Sequence, residues 1–159
     1  MKIYKSNYTK YEYPDEYIHA LRVYDNYLYV GSTYSGTALG QSKEAIWRHE
    51  ILSADGDLGA RELVFDFDKS YSGFKVLSLA FDVDGLMYIG TDAPEGIIIV
   101  SPDGTYNPLY EGVMEGTAYA MSWGNGDYLY ITRKNTDENK RRILRVNMRK
   151  MSAPYYGRN

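Results

Sequence analysis

The chain is predicted to be all-β and built from repeated antiparallel sheets, on three observations. One phrase occurs three times: an alternating apolar strand, a Gly/Asp/Asn turn, and a second strand of the form Tyr-Leu-Tyr-Val-Gly. Asp-Gly or Asn-Gly steps stand at Asp84-Gly85, Asp103-Gly104 and Asn125-Gly126, where tight hairpins need positive φ. No window carries a convincing amphipathic helical period. A repeat of this kind decides architecture ahead of any propensity count.

Each element follows in order. In the first copy, His19-Ala-Leu21-Arg-Val23 turns at Tyr24-Asp25-Asn26 into Tyr27-Leu28-Tyr29-Val30-Gly31. The second runs Leu77-Ser-Leu79-Ala-Phe81, turns through Asp82 to Gly85, and continues Leu86-Met87-Tyr88-Ile89-Gly90. The third has Tyr119-Ala-Met121-Ser-Trp123, the turn Gly124 to Asp127, then Tyr128-Leu129-Tyr130-Ile131-Thr132. A four-strand reading completes each copy: strands near 18–24, 27–32, 45–52 and 61–67, then 76–82, 86–91, 96–101 and 107–111, then 118–123, 127–132, 142–148 and 153–157. Ile97 to Val100 is continuously apolar, as in a strand covered on both faces. Val23, Phe81 and Trp123 hold equivalent places and are expected to pack between neighbouring sheets.

The anchor tyrosines Tyr29, Tyr88 and Tyr130 lie 59 and 42 residues apart. Propeller blades repeat every ~40–50 residues, so the second interval fits and the first carries insertions. These are placed in polar loops at 32–44, 53–59 and 69–73, where solvated backbone tolerates extra length. The expected architecture is a single β-propeller-type domain over 1–159, with blades at about 18–75, 76–117 and 118–159 and a strand segment at 1–17.

The residues also carry a resemblance. An apolar strand, Asp-x-Asp-Gly, Leu-x-Tyr-Ile-Gly and a strand ending in Ser101-Pro102-Asp103-Gly104 resemble the repeats of NHL, YWTD and SMP-30/gluconolactonase-type β-propellers, over roughly 18–157. The resemblance implies the fold, and as an alternative function a metal-dependent lactone hydrolase whose cation is held by Glu, Asn and Asp. Glu16, Asn26, Asn125 and Asp127 are the nearest candidates, but the family's Glu-Gly-Pro and Pro-Asn-Gly motifs are not matched there. The metal site is therefore not carried over, and no cofactor is expected.

Propellers close with four to eight blades, and three blades leave sheet faces uncovered. A second copy completes the ring, the chain docks on another protein, or further blades lie in a longer chain. Self-association, most simply as a dimer, is the expectation. The chain of 159 residues is long enough for a core, has no cysteine, and shows neither a signal-peptide pattern nor an apolar run fit to span a membrane. A soluble protein of the cytoplasm or of a virion is the corresponding expectation.

Charge is divided unevenly. Residues 1–132 hold 9 Lys/Arg against 19 Asp/Glu, net −10, whereas 133–159 hold 9 against 2, net +7. Arg142, Arg145 and Arg149 are the candidate contact residues of that basic stretch, read as an electrostatic contact made by a half-buried strand. Nucleic acid is disfavoured because the whole chain is acidic, net −3. Eighteen tyrosines suit half-buried sheets, and with Trp47 they give a lectin-like glycan platform as another alternative. Of the two histidines, His19 lies on an innermost strand and is a candidate for a central channel, while His49 is expected at a surface cross-strand position. Asp82, Asp84 and Asp103 sit in turns, where Asp binds its own backbone. No nucleophile–base pair is legible. The expected function is a non-catalytic structural and binding module presenting surfaces for assembly, a virion or tail being one setting.

Overall fold

The computed structural model describes residues 16–35, 42–110, 116–134 and 141–154. The first sheet holds β1 (Glu16–Tyr24), β2 (Tyr27–Ser35), β3 (Ser42–Ile51) and β4 (Leu58–Phe65), paired in chain order. A four-residue helix, α1 (Phe67–Ser70), follows, with Asp66 accepting the Lys69 N–H at its start. The second sheet is β5 (Val76–Phe81), β6 (Met87–Thr91), β7 (Ile97–Val100) and β8 (Tyr106–Pro108), again in order. The third has β9 (Ala118–Trp123), β10 (Tyr128–Lys134) and β11 (Arg141–Asn147). Every pairing is antiparallel. The fold is all-β, three antiparallel sheets of three or four strands. The turn glycines Gly85 and Gly126 adopt φ of 82° and 76°, the conformation their hairpins demand.

The sheets pack face against face. Ala20, Tyr29, Ile46 and Phe65 of the first meet Leu79, Phe81, Met87 and Ile98 of the second. Ala80, Tyr88 and Ile97 on the opposite side of the second meet Met121, Trp123, Leu129 and Ile131 of the third. Coverage on both faces explains the unbroken apolar run of β7. Aromatic pairs mark both contacts: Tyr24 stacks on Phe81 at 4.4 Å and 7°, and Tyr88 meets Trp123 edge-on at 5.7 Å.

Two glycines set how closely neighbours approach. A Cβ on Gly31 would stand 2.6 Å from Val76 Cγ1, and one on Gly90 would stand 2.7 Å from the Ala118 carbonyl oxygen. Each lies where the first strand of the next sheet crosses. The third copy has Thr132 there, and it is exposed, with no sheet beyond it among the described residues.

Several expectations are corrected. Val23 pairs with Leu28 as Phe81 pairs with Met87 and Trp123 with Leu129, so the register equivalence holds. Yet Val23 is 39% exposed whereas Phe81 is 3% exposed, because that face is covered by the preceding sheet and the first sheet has none among the described residues. Residues 32–35 and 42–44, expected as loop, continue the ribbon through Tyr34↔Lys43 and Ser35↔Ser42. The third sheet lacks a fourth strand among the described residues. Instead Ser152 bridges Asp82, and Ala153 N–H donates to the Phe81 carbonyl at 3.1 Å, tying the C-terminal segment to the second sheet. The expected strand at 1–17 falls, up to residue 15, outside the described residues, as do 155–157.

Candidate functional site

The end faces of the stack are the candidate interaction surfaces. In the first sheet, strand alternation turns Ala20 and Tyr24 toward the second sheet and leaves Leu21 and Val23 facing out. The register then sets Leu21, Val30, Trp47 and Leu63 in one row across four strands. Leu21 and Leu63, at the two ends of that row, are 59% and 54% exposed. Trp47 is half-buried, with the Arg61 guanidinium 4.4 Å above its ring. Arg61 also pairs with Glu16, whose carboxylate accepts from Ser32 Oγ as well. His49, expected at the surface, is buried, its Nδ1 donating to the Gly59 carbonyl at 2.8 Å. The bulge between His49 and Ile51 brings that carbonyl within reach.

The third sheet presents Tyr119, Tyr130, Thr132 and Ile143 on its outer side, with Ile143 at 74% exposure. Of the apolar residues in this basic segment, Leu144, Val146 and Met148 turn toward the core, whereas Ile143 does not. Arg145 lies 4.8 Å from the Tyr128 ring. Arg142 pairs directly opposite Arg133, and Arg141 opposite Lys134. Arg149 stands past the strand in a turn at φ 53°, its N–H bound to Asn147 Oδ1. A concavity of about 400 Å³ at the strand ends is lined by Tyr119, Thr132, Arg133, Arg141, Arg142 and Ile143. Arg141 belongs to the basic run legible in the sequence, whereas Arg133 and Tyr119, one and two strands away, join it only through the register of β9, β10 and β11.

His19 belongs to a separate polar chain between the first two sheets. Its Nε2 lies 2.6 Å from Thr33 Oγ1, which donates to Glu44 Oε2 at 2.6 Å, and Glu44 Oε1 accepts the Val76 N–H at 2.8 Å. The Thr33 proton is committed to the carboxylate, so His19 must donate from Nε2 in this arrangement. Burial pushes the Glu44 carboxyl above its ordinary range, opposed by its bonds to Thr33 and Val76. This buried acid pins the first strand of the second sheet.

The turn aspartates act on backbone. Asp82 is fully buried and accepts from the N–H groups of Asp84 and Leu86 and from the Tyr88 hydroxyl, while Lys150 bridges Asp84 at 2.7 Å. Burial and the Asp82 carboxylate together drive the Tyr88 phenol far upward. Asp103 accepts from both the N–H and the hydroxyl of Thr105. Asn26 donates to the Ile51 carbonyl. Among the described residues no three His, Asp or Glu side chains converge as a metal set, and no helix is long and apolar enough to cross a membrane. The predicted residues His19, Trp47, Arg142, Arg145 and Arg149 therefore lie in different places, with only Arg142 and Arg145 sharing a strand.

No family model matches the chain, and no curated protein matches it. Among solved structures it is similar to a protein of unknown function from Bacteroides caccae, with a TM-score of 0.51 and 12% identity over 87% of this chain. It is also similar to a luciferin-regenerating enzyme, with a TM-score of 0.46 and 11% identity, over 87% of this chain and 60% of that one. The chain spans about half the length of the first, 48%. That first likeness is one of fold, a β-rich architecture.

Proposed function

We propose that the chain is a non-catalytic module of β-propeller type that assembles through the outer faces of its two end sheets. One observation carries this reading: the middle sheet is covered on both faces, whereas Leu21, Val23 and Leu63 at one end and Tyr119, Tyr130 and Ile143 at the other are exposed. Exposed apolar residues gathered on one face mark interaction surfaces. The two faces differ, so copies would join head to tail and close a ring, two chains giving six sheets.

Thr132 bears on the geometry of that junction. Where Gly31 and Gly90 admit a close neighbour, a Thr side chain holds a docked sheet farther away. A partner on the third sheet therefore rests on Tyr119, Tyr130 and Ile143 rather than on backbone. A structural part of a larger assembly, such as a virion or tail, suits this module.

The test is the mass in solution. Light scattering at micromolar concentration should give a multiple of 18.2 kDa. Leu21→Glu with Leu63→Glu should yield a folded monomer. A parent chain that scatters as a monomer and unfolds cooperatively would overturn the proposal.

A further inference from the structure

We infer that the outer face of the third sheet receives the first sheet of a second copy in one register, Tyr130 against Val23 and Thr132 against Ile18. The inference rests on the assembly reading and adds to it the partner face and its alignment. Strand pairing lets the faces be compared residue by residue. The face with which the first sheet holds the second carries Tyr29 opposite Arg48 and Gly31 opposite Ile46. The outward face of the third sheet carries Tyr130 opposite Arg145 and Thr132 opposite Ile143. Ala20 pairs with Gly31 as Ala120 pairs with Thr132. The likeness extends to a cation–π contact, since Arg48 lies 4.4 Å over Tyr27 and Arg145 lies 4.8 Å over Tyr128. Yet Tyr29 and Ile46 are buried, whereas Tyr130 and Ile143 are exposed. The third sheet thus displays, uncovered among the described residues, the set with which the first sheet holds its neighbour.

The complementary half stands on the first sheet. At the two internal junctions the incoming sheet presents an aromatic to the tyrosine before it. Phe81 meets Tyr29 at 4.6 Å, and Trp123 meets Tyr88 at 5.7 Å. Val23 holds that register position on the first sheet and is exposed. The crossing residues repeat in the same way. Val76 crosses Gly31 and the Ala118 carbonyl crosses Gly90. A register shift follows Val76, Ala118 and Ile18 alike, and Ile18 is exposed. Continuing the internal junction by one sheet therefore sets Val23 on Tyr130 and Ile18 on Thr132. The two faces are halves of one contact, so the second copy enters head to tail. Val is smaller than Phe or Trp and Thr is larger than Gly, which makes this junction the loosest of the series.

The chain has no cysteine, so thiols can be placed singly. Ile18→Cys chains mixed with Thr132→Cys chains and mildly oxidised should give a disulfide-linked dimer that neither variant forms alone. The internal counterpart sets the reach: a Cβ on Gly31 would stand 3.2 Å from Val76 Cβ, and disulfides span about 3.5–4.5 Å between Cβ atoms, which a slightly looser junction supplies. Leu63→Cys, on the same face but on the far strand, should not link to Thr132→Cys. Val23→Phe restores the aromatic of the internal junctions and should tighten association roughly two- to tenfold, read by light scattering on dilution. Amide shifts on diluting the parent chain need no substitution, and they should centre on Ile18, Val23, Tyr130 and Ile143. A parent chain that stays monomeric would overturn the assembly reading and this inference together. In an oligomer, a Thr132→Cys chain that links to itself or to Leu63→Cys, a mixture that gives no link, dilution shifts centred elsewhere, or association indifferent to Val23→Phe would overturn the register and leave assembly standing.

Discussion

Replacing Phe81 with Ala tests the stacking of the first two sheets directly. The ring is 3% exposed, lies flat on Tyr24 at 4.4 Å, and meets Tyr29 at 4.6 Å. Truncating a buried Phe costs about 3–5 kcal/mol, part transfer and part cavity. The aromatic contacts place Phe81 toward the upper end, since such pairs contribute ~0.5–1.5 kcal/mol beyond their buried area. For a domain of this size 1 kcal/mol moves Tm by about 2–4 °C, so a fall of roughly 6–20 °C is expected. Val23→Ala is the matched control. It holds the same register position on an uncovered face, and surface changes stay within about 0.5 kcal/mol. Thermal melts followed by near-UV circular dichroism would read both, because Phe81 and its tyrosine neighbours report on packing. Equal Tm values for the two variants would refute the assignment of covered and uncovered faces.

Three further outcomes are expected. Gly90→Ala should destabilise by about 1–3 kcal/mol, the usual cost of overpacking, because its Cβ would meet Ser78 Oγ and the Ala118 carbonyl; Thr132→Gly, measured by urea unfolding, should cost less, and the reverse ranking would sink the close-approach argument. Glu44→Gln should gain on the parent as pH rises from about 4.5, since a raised carboxyl keeps in the folded state a proton that the unfolded chain has released, so parental stability falls through that window; parallel stability–pH curves would count against the buried acid. Tyr88→Phe should weaken the turn at Asp82 by about 1–3 kcal/mol, because it leaves a buried carboxylate one donor short, and an unchanged unfolding midpoint would remove that role.

The sequence made the sheets legible because their signals are local. Alternation, Asp-Gly steps and the thrice-repeated strand phrase each act within a dozen residues, and the eleven described strands lie within a few residues of their expected places, the strand expected at 153–157 not being among them. Faces were harder. Val23, Phe81 and Trp123 look alike in register, and only the order of stacking decides that one is exposed and two are buried. The same holds for Tyr29, Tyr88 and Tyr130, the last of which faces outward on the third sheet. His49 followed a similar course: a polar residue beside Glu50 reads as surface until a bulge brings the Gly59 carbonyl to its ring.

The candidate site was visible only as charge. The run Lys140-Arg141-Arg142 advertises a basic segment, but Arg133 lies one strand earlier and Tyr119 one strand earlier again. What joins them is the antiparallel register of β9, β10 and β11, a long-range fact that no window of sequence contains. The glycine series gives a counterexample, in which sequence holds the answer once structure supplies the question. Gly31, Gly90 and Thr132 close the same strand phrase, and the two glycines stand where a following sheet crosses, while the threonine has no following sheet beside it among the described residues. The third copy therefore departs from its siblings at a position where no neighbouring strand crosses it among the described residues. It follows that anything docking on this end meets side chains first, and that specificity there rests on Tyr119, Tyr130, Ile143 and the neighbouring arginines rather than on backbone fit.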